Sequence, residues 1–197
     1  MRSRDERGQA VTEVAVMLPF LLMLLFGLVE LATALNTAIT IAAATREGAR
    51  VAGALVNGGG TLGCAPGQSP NASTVDPLVV AAVERVLTGS GARITLVDVS
   101  AIRIYKATAS GMETSGSANQ WVYQANGGPA IAGQNLDFVE QSNLWPACGR
   151  NNTTPADSAG ITVRYTYRGS TPLRYFIPGL ASLNLADSAV MPLNATR

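Results

Sequence analysis

The chain begins with a long apolar run that has one carboxylate near each end. Residues 14–29 carry no charge, Glu30 interrupts the run, and apolar residues then continue to Leu35. As a helix, these roughly 22 residues would extend about 33 Å, close to the hydrocarbon thickness of a bilayer. The pattern predicts a membrane-spanning helix over about residues 14–35, with Glu13 at its entry and Glu30 near its far end.

The helical pattern continues past the apolar run as an amphipathic extension to about residue 55. Arg46 and Arg50 lie one turn apart on one face, Glu47 lies between them, and the glycines at 58–60 end the helix. Because like charges repel, either a carboxylate from the remaining chain or a neighbouring subunit contacts these arginines, or they form a solvated basic face. The candidate helix or partner contacts are Glu30, Arg46, Glu47 and Arg50.

A second helix is predicted after a loop rich in Gly, Pro and Ser over residues 57–75. Asp76 is the predicted N-cap, and Pro77 suits the first helical position after it. Apolar residues then recur at helical spacing until Gly89, which ends the helix. This helix is amphipathic and should pack on a sheet.

Runs of β-branched and aromatic residues predict the strands of that sheet. Residues 92–107 indicate one long bent strand or two short ones, and residues 121–124 a short strand. Residues 161–168 alternate between apolar and polar side chains, which is typical of an antiparallel strand with one wet face. Residues 183–191 predict a final strand. The expected fold class is α+β: a long N-terminal helix, then a small domain with one further helix packed on an antiparallel sheet.

The two cysteines, Cys64 and Cys148, lie too far apart in the sequence for a CxxC redox or metal motif. If the domain is exported, they are well placed to form one disulfide, which would tether the long loop over residues 125–158. Two unrelated buried thiols are the alternative. In the same loop, Trp145 is expected to fill the core rather than to form a contact surface.

Composition excludes several classes of function. The 197 residues have a net charge of +1, which gives no indication of nucleic-acid binding. The chain contains no histidine, which removes Ser-His-Asp and Cys-His nucleophiles and most zinc and haem sites. We therefore predict no catalytic residue, no metal ligand set and no cofactor.

Three explanations of the N-terminal segment compete. An ordinary signal peptide could be cut after Ala32-Thr33-Ala34, but its apolar run would be long and would carry Glu30 just before the cut. A plain signal anchor is the second explanation. A prepilin-type leader is the third, and it alone accounts for both Gly8 and Glu13. The basic residues that favour a cytoplasmic N terminus are Arg2, Arg4 and Arg7.

Four motifs follow one another along this segment. They are Gly8 with Glu13 five residues later, LPF at residues 18–20, FGLVE at residues 26–30 and TREGAR at residues 45–50. Together they resemble the TadE-like proteins, which are minor pilins or pseudopilins of the tight-adherence, Flp-type branch of the type IV pilus systems. Major Flp pilins carry Glu-Tyr where this chain has Glu13-Val14, which favours the minor class. The resemblance covers about residues 7–55 well and 161–192 loosely.

The resemblance implies that an aspartyl prepilin peptidase cuts between Gly8 and Gln9, so that Glu13 becomes the fifth residue of the mature chain. In pilin-type assemblies this carboxylate neutralises the terminal amine of an adjacent subunit, because an unpaired charge in apolar surroundings costs several kcal/mol. The implied organisation is a leader at 1–8, a helix at 9–56, a loop at 57–75 and an exported domain at 76–197. The implied partners are membrane lipid, a prepilin peptidase, a sister minor pilin, the major Flp pilin and the inner-membrane assembly platform.

The implied function is structural and non-enzymatic: assembly of a tight-adherence pilus and secretion apparatus. The chain would be held in the cytoplasmic membrane, with its domain outside the cytosol. The main alternative is an adhesin-like, extracytoplasmic binding domain with an ordinary signal peptide. An exported enzyme is a further alternative, for which the sequence has no supporting motif.

Overall fold

The computed structural model describes residues 3–55, 71–92, 94–175, 179 and 182–193. Two α-helices are described, α1 (Ser3–Ala54) and α2 (Ala72–Leu87). The strands are Val99–Ala107 (β1), Glu113–Tyr123 (β2), Ala130–Ile131 (β3), Gln134–Asn135 (β4), Phe138–Asn143 (β5), Ser158–Arg168 (β6) and Ser182–Pro192 (β7). The expected α+β class, with a long N-terminal helix and a second helix packed on an antiparallel sheet, is confirmed.

The chain divides into two compact units. The first comprises Met1–Leu35 with Tyr167–Leu183, and the second comprises Asn36–Thr166 with Asn184–Arg197. The first unit holds the beginning of α1 and the segment that follows β6, which includes the short 3-10 helix Pro172–Tyr175. The second unit holds the remainder of α1, the whole of α2 and most of the sheet.

The sheet has five strands in the order β5-β2-β1-β6-β7. The central strand β1 pairs antiparallel with β2 and with β6, and Ile102 lies opposite Trp121 on one side and Val163 on the other. Because residues directly opposite each other point to the same face, these three apolar side chains lie together on one face of the sheet. The edge strand β5 pairs antiparallel with β2 and places Glu140 opposite Trp121.

The core of the second unit lies where the helices meet one face of the sheet. Its buried residues include Ile41, Ala44, Ala49 and Ala52 from α1, Val75, Val79, Val80 and Val83 from α2, and Ile104, Ile161 and Val163 from the strands. A Cβ atom at Gly48 would lie 2.6 Å from Val83 Cγ2 and 3.3 Å from Ile161 Cγ2. Since real Cβ contacts are longer, the missing side chain allows α1 to approach α2 and β6 closely.

The prediction that Asp76 caps the second helix was wrong. Helix α2 begins earlier, and its N-cap is Asn71, whose side chain accepts a hydrogen bond from the backbone N–H of Ser73 at 3.0 Å. Asn and Asp are both good capping residues, so the sequence alone does not choose between them. Asp76 is instead buried inside the helix and forms an ion pair of 2.7 Å with Arg150.

The long loop predicted over residues 125–158 contains further strands, namely β3, β4 and β5. Strand β2 is also longer than the predicted strand. The sequence does not indicate its first half, because that half is polar and lacks the apolar alternation that marks a strand. Pairing with β1, which places Glu113 opposite Ala107, stabilises this polar segment, and tertiary context of that kind overrides local propensity. The prediction that Trp145 fills the core is confirmed, since its side chain is buried.

Candidate functional site

The predicted processing site lies on an exposed part of α1. Gly8, Gln9 and Glu13 are all exposed, and no heavy atom lies within 4 Å of a Cβ atom placed at Gly8. Glu13 Oε1 accepts a hydrogen bond from Gln9 Nε2, one turn earlier, at 3.2 Å. Among the side chains that the structure describes, which in this helix begin at residue 8, Glu13 has no cationic partner. Its carboxylate is therefore available to a cation from another molecule.

Apolar side chains cover all sides of α1 after Glu13. Val16, Met17 and Phe20 expose 77%, 71% and 67% of their surface, and the apolar side chains that follow as far as Val29 are exposed or half-buried. Within the described ranges, α1 is the one helix that is long and apolar enough to cross a membrane. A helix that is apolar all round requires lipid or other apolar helices around it.

Glu30 lies at the end of this apolar stretch and is buried, with 5% of its surface exposed. Its Oε1 accepts a hydrogen bond of 2.6 Å from the Tyr167 hydroxyl. Its Oε2 accepts one of 2.9 Å from the backbone N–H of Thr171, and the backbone N–H of Ser170 lies 3.2 Å from both oxygens. We refer to Glu30, Thr33, Tyr167, Ser170 and Thr171 as the Glu30 clamp.

Thr33 completes the clamp one turn after Glu30. Its hydroxyl lies 2.9 Å from the Tyr167 hydroxyl and 3.4 Å from the Ser170 hydroxyl, and it donates 2.8 Å to the backbone carbonyl of Glu30. A buried carboxylate is costly unless donors surround it, and here two backbone N–H groups and one phenol do so. The clamp therefore ties α1 to the end of β6 and to the turn that follows it, within the first unit.

The sequence identified Glu30 but not the residues that bind it. Tyr167 lies in the segment whose alternation predicts a strand, and nothing in that pattern indicates that its hydroxyl faces a carboxylate. The available signal was the carboxylate itself, because an ionisable residue at the end of an apolar helix usually has a partner. The partners lie 137 to 141 positions later in the chain, so helical spacing cannot locate them.

Glu47 is the centre of an exposed ion-pair cluster in the second unit. Its Oε1 lies 2.7 Å from Arg50 Nη2 and 3.1 Å from Arg85 Nη2, and its Oε2 accepts from Arg50 Nε at 2.9 Å. The hydrogen bond from Arg50 and the positive charges of both arginines hold the pKa of Glu47 below its usual value. Arg46 is exposed, and no ion pair joins it to another described residue. Because both paired arginines are exposed, the cluster contributes little to stability.

The predicted disulfide stays a prediction. Cys148 lies in the short 3-10 helix Ala147–Gly149, whereas Cys64 lies outside the described residues. Of the other predicted site residues, the structure brings Glu47 and Arg50 together. Glu13 and Glu30, on the same helix, have separate surroundings.

The model of one protein family matches this chain. The family is described as TadE-like protein, and the match covers residues 8–50. It includes Gly8, Glu13, Glu30 and the segment from Glu47 to Arg50, so the resemblance inferred from the sequence is confirmed over this part of the chain. No curated protein and no solved structure matches the chain.

Proposed function

We propose that this chain is a minor pilin of a tight-adherence, Flp-type pilus and secretion apparatus, with a structural role in assembly. The observation that carries the proposal is the TadE-like match over residues 8–50, which contains the exposed apolar part of α1. The TadE-like pilin family is structural and non-enzymatic, in keeping with the chemistry that the composition excludes. No single residue of the chain needs to act as a catalyst for this role.

The mechanism rests on the N-terminal end of the exposed apolar stretch. Cleavage after Gly8 would create an α-amino group at Gln9, which is costly in apolar surroundings unless a carboxylate neutralises it. Glu13 has no cationic partner among the described residues, so it can receive the amine of an adjacent subunit. Each processed chain would thus carry one α-ammonium group and one Glu13 carboxylate. Docking would pair each of them with the opposite charge of a neighbouring subunit.

The apolar stretch also supports the partners that we propose. Before assembly, membrane lipid surrounds the side chains from residue 14 onward, with the N terminus in the cytoplasm and the remaining chain outside it. During assembly, the inner-membrane platform, a sister minor pilin and the major Flp pilin replace the lipid with helical contacts. The prepilin peptidase acts on the chain first, because Glu13 becomes the fifth residue only after cleavage.

The Glu30 clamp argues against an ordinary signal peptide. Cleavage after Ala34 would remove Glu30 and Thr33, and it would leave the donor groups of Tyr167, Ser170 and Thr171 without their acceptor. Hydrogen bonds to a charged group contribute about 1.5–3 kcal/mol each to stability, and this chain would lose those to Glu30. The alternative of a secreted, adhesin-like domain therefore requires a mature chain that has lost a buried network.

The test is the mass and N-terminal sequence of the mature protein, purified from membranes of a host that carries the prepilin peptidase. We expect a mature chain that begins at Gln9, and an unprocessed chain when Gly8 is replaced by Leu. The matched control is Gly27→Leu, which should be processed normally because it lies outside the junction. A mature chain that begins at Leu35 would refute the pilin assignment, and one that begins at Met1 would refute processing.

A further inference from the structure

Residues 167–175, which we call the interface segment, are bound to the last turns of the apolar stretch of α1. The clamp joins Glu30 to the Tyr167 hydroxyl and to the backbone N–H groups of the turn after it. The hydrocarbon core of a bilayer is about 30 Å thick and takes about 20 residues of helix, so a span that begins at residue 14 ends at about residue 33. The interface segment is therefore held at the level where α1 would leave the hydrocarbon.

Exposed apolar side chains of α1 lie at this same level. Leu28, Leu31 and Leu35 expose 65%, 57% and 54% of their surface, and they belong to the first unit, as the interface segment does. Because Glu30 is buried under the interface segment, these leucines lie on the sides of the helix that the segment leaves open. Lipid that covers the leucines would therefore also border the interface segment.

The exposed surface of the interface segment is positively charged. Residues 167–183 contain two arginines, Arg168 and Arg174, and no acidic residue. Arg168 ends β6 and Arg174 lies in the 3-10 helix after the turn, and both are exposed. The carboxylate that the segment binds, Glu30, is buried and accepts the hydrogen bonds of the clamp. The basic surface therefore faces outward, away from this carboxylate.

Arg174 is held at the surface by uncharged partners. Its Nη1 donates to the Gly169 carbonyl at 3.1 Å, and its Nη2 donates to the Tyr175 hydroxyl at 2.8 Å. The guanidinium carbon also lies 4.9 Å from the centroid of the Tyr175 ring, and this tyrosine exposes 74% of its surface. These contacts orient the guanidinium but leave its charge unbalanced, and its remaining N–H groups can bind an anion.

We infer that Arg168, Arg174 and Tyr175 bind the headgroups of anionic phospholipids at the outer surface of the membrane. The planar guanidinium matches phosphate oxygens, and tyrosine is enriched where a membrane meets water. A basic residue near an anionic membrane surface favours binding about fivefold. The inference rests on the proposed function, because that function places α1 across the membrane and the interface segment outside the cytosol.

Two other occupants of this surface are less favoured. A zwitterionic headgroup has a cation beside its phosphate, so the arginines gain less from it than from an anionic headgroup. An acidic protein would offer the right charge, but it would have to displace lipid from the exposed leucines of α1. The continuity of the basic surface with the apolar stretch therefore favours an anionic lipid.

Binding is tested with the full chain in nanodiscs that contain phosphatidylcholine and phosphatidylglycerol. Tyr175→Trp supplies a fluorescent probe at the surface, and since Trp121 and Trp145 are buried, the difference from the wild-type signal reports on position 175. The quencher is a dibrominated form of either lipid. We expect phosphatidylglycerol to associate at least about fivefold more strongly than phosphatidylcholine.

Arg174→Gln, made together with the probe, should reduce this preference about fivefold, and Arg168→Gln should reduce it further. The matched control is Arg85→Gln, which removes the same charge from an exposed arginine of α2 that is already paired with Glu47. It should leave the preference unchanged. Circular dichroism and thermal unfolding establish that each variant is folded. If Arg174→Gln does not fold, Arg168→Gln decides the outcome.

Three results would overturn the inference. Equal quenching by the two lipids would assign the arginines to an acidic protein partner. A preference for phosphatidylglycerol that survives both arginine substitutions would place the lipid elsewhere on the chain. Loss of the preference on addition of inorganic phosphate, at constant ionic strength, would indicate a site for a soluble anion.

Carbonate extraction of cell membranes distinguishes these failures from a failure of the proposed function. A chain that stays in the membrane after extraction but shows no lipid preference would overturn this inference alone. A chain that carbonate releases does not span the membrane, which would overturn the proposed membrane span and this inference together.

Discussion

Two stretches of α1 contain the same residue types in opposite surroundings. In residues 8–29, Glu13 is exposed, and its one recorded side-chain hydrogen bond is to Gln9 on the same helix. In residues 30–54, Glu30 is buried and bound by three groups from a distant part of the chain. The glycines differ in the same way. A Cβ atom at Gly27 would meet no heavy atom within 4 Å, whereas one at Gly48 would lie 2.6 Å from Val83.

The difference shows which contacts the folded chain supplies and which it leaves to other molecules. The second stretch has its partners within the chain, so a substitution there should act on folding. The first stretch has few partners within the chain, so a substitution there should act on assembly and leave folding unchanged. This contrast can be tested by the free energy of unfolding, measured for the full chain in detergent, and by piliation, measured separately in cells.

The largest loss of stability is expected for Glu30→Ala. Removal of the carboxylate leaves the N–H groups of Ser170 and Thr171 buried without an acceptor and removes the hydrogen bond of the Tyr167 hydroxyl to a charged group, at a cost of about 3 kcal/mol. The measurement is denaturant unfolding, together with hydrogen exchange of the Ser170 and Thr171 amides, which should become faster. Glu47→Ala is the matched control on the same helix. It should cost less than about 1 kcal/mol, because its arginine partners are exposed.

Equal losses for Glu30→Ala and Glu47→Ala, or unchanged exchange at Ser170 and Thr171, would contradict the role assigned to the Glu30 clamp. Glu30→Gln sharpens the same comparison. It retains one acceptor oxygen but places an amide –NH₂ among donors, so its loss of stability should lie close to that of Glu30→Ala.

Tyr167→Phe should cost about 2 kcal/mol, because it removes one hydrogen bond to a charged group and leaves the others. Tyr165→Phe, two residues earlier on the same strand, is the control and should cost less. Burial and the hydrogen bond to Glu30 raise the pKa of Tyr167 above its ordinary value of 10.0. The folded chain therefore holds this proton more tightly than the unfolded chain does.

That difference in proton affinity sets the direction of the pH dependence. The stability that Tyr167 contributes is complete below pH 10.0 and is lost as the pH rises through its higher folded pKa. Tyr167→Phe should show a shallower decline of the unfolding free energy above that pH than the wild type. An unchanged alkaline decline, measured by denaturant unfolding at a series of pH values, would contradict this account.

Gly48→Ala should cost about 1 kcal/mol. A methyl group at this position overpacks the contact with Val83 at a cost of about 1–3 kcal/mol, and alanine returns about 1 kcal/mol of helix propensity. Gly27→Ala gains the same propensity without a contact, so it should be neutral or stabilising. Thermal unfolding of the two variants side by side is the measurement. A Gly48→Ala variant as stable as Gly27→Ala would show that α1 and α2 can separate without cost.

The apolar and polar pattern predicted the elements but not most of the contacts between them. A long uncharged run determines its own helix, and strict alternation determines a strand, because both patterns are local. The contacts of the Glu30 clamp come from a turn about 140 positions later in the chain, and the ion pair of buried Asp76 comes from Arg150, outside its own helix. A local sequence pattern cannot indicate either contact. Gly48 is a third case. The sequence shows its place in the TREGAR motif, but only the packed structure shows why a glycine is needed there, namely the close contact of α1 with α2.

The smallest change of stability is expected for Glu13→Gln, and with it the clearest effect on assembly. Glu13 is exposed, and glutamine has similar size and helix propensity, so the unfolding free energy should change by less than about 0.5 kcal/mol. Membrane insertion should also be normal, because the apolar stretch after it is unchanged. Piliation should fall, since the neutral amide cannot balance the charge of an incoming N-terminal amine. Thr12→Ala is the matched control, because it changes the neighbouring exposed residue outside the junction but keeps the carboxylate, and it should assemble normally. Normal piliation by Glu13→Gln would show that the exposed carboxylate serves the membrane interface rather than another subunit, and the contrast between Glu13 and Glu30 would then concern folding alone.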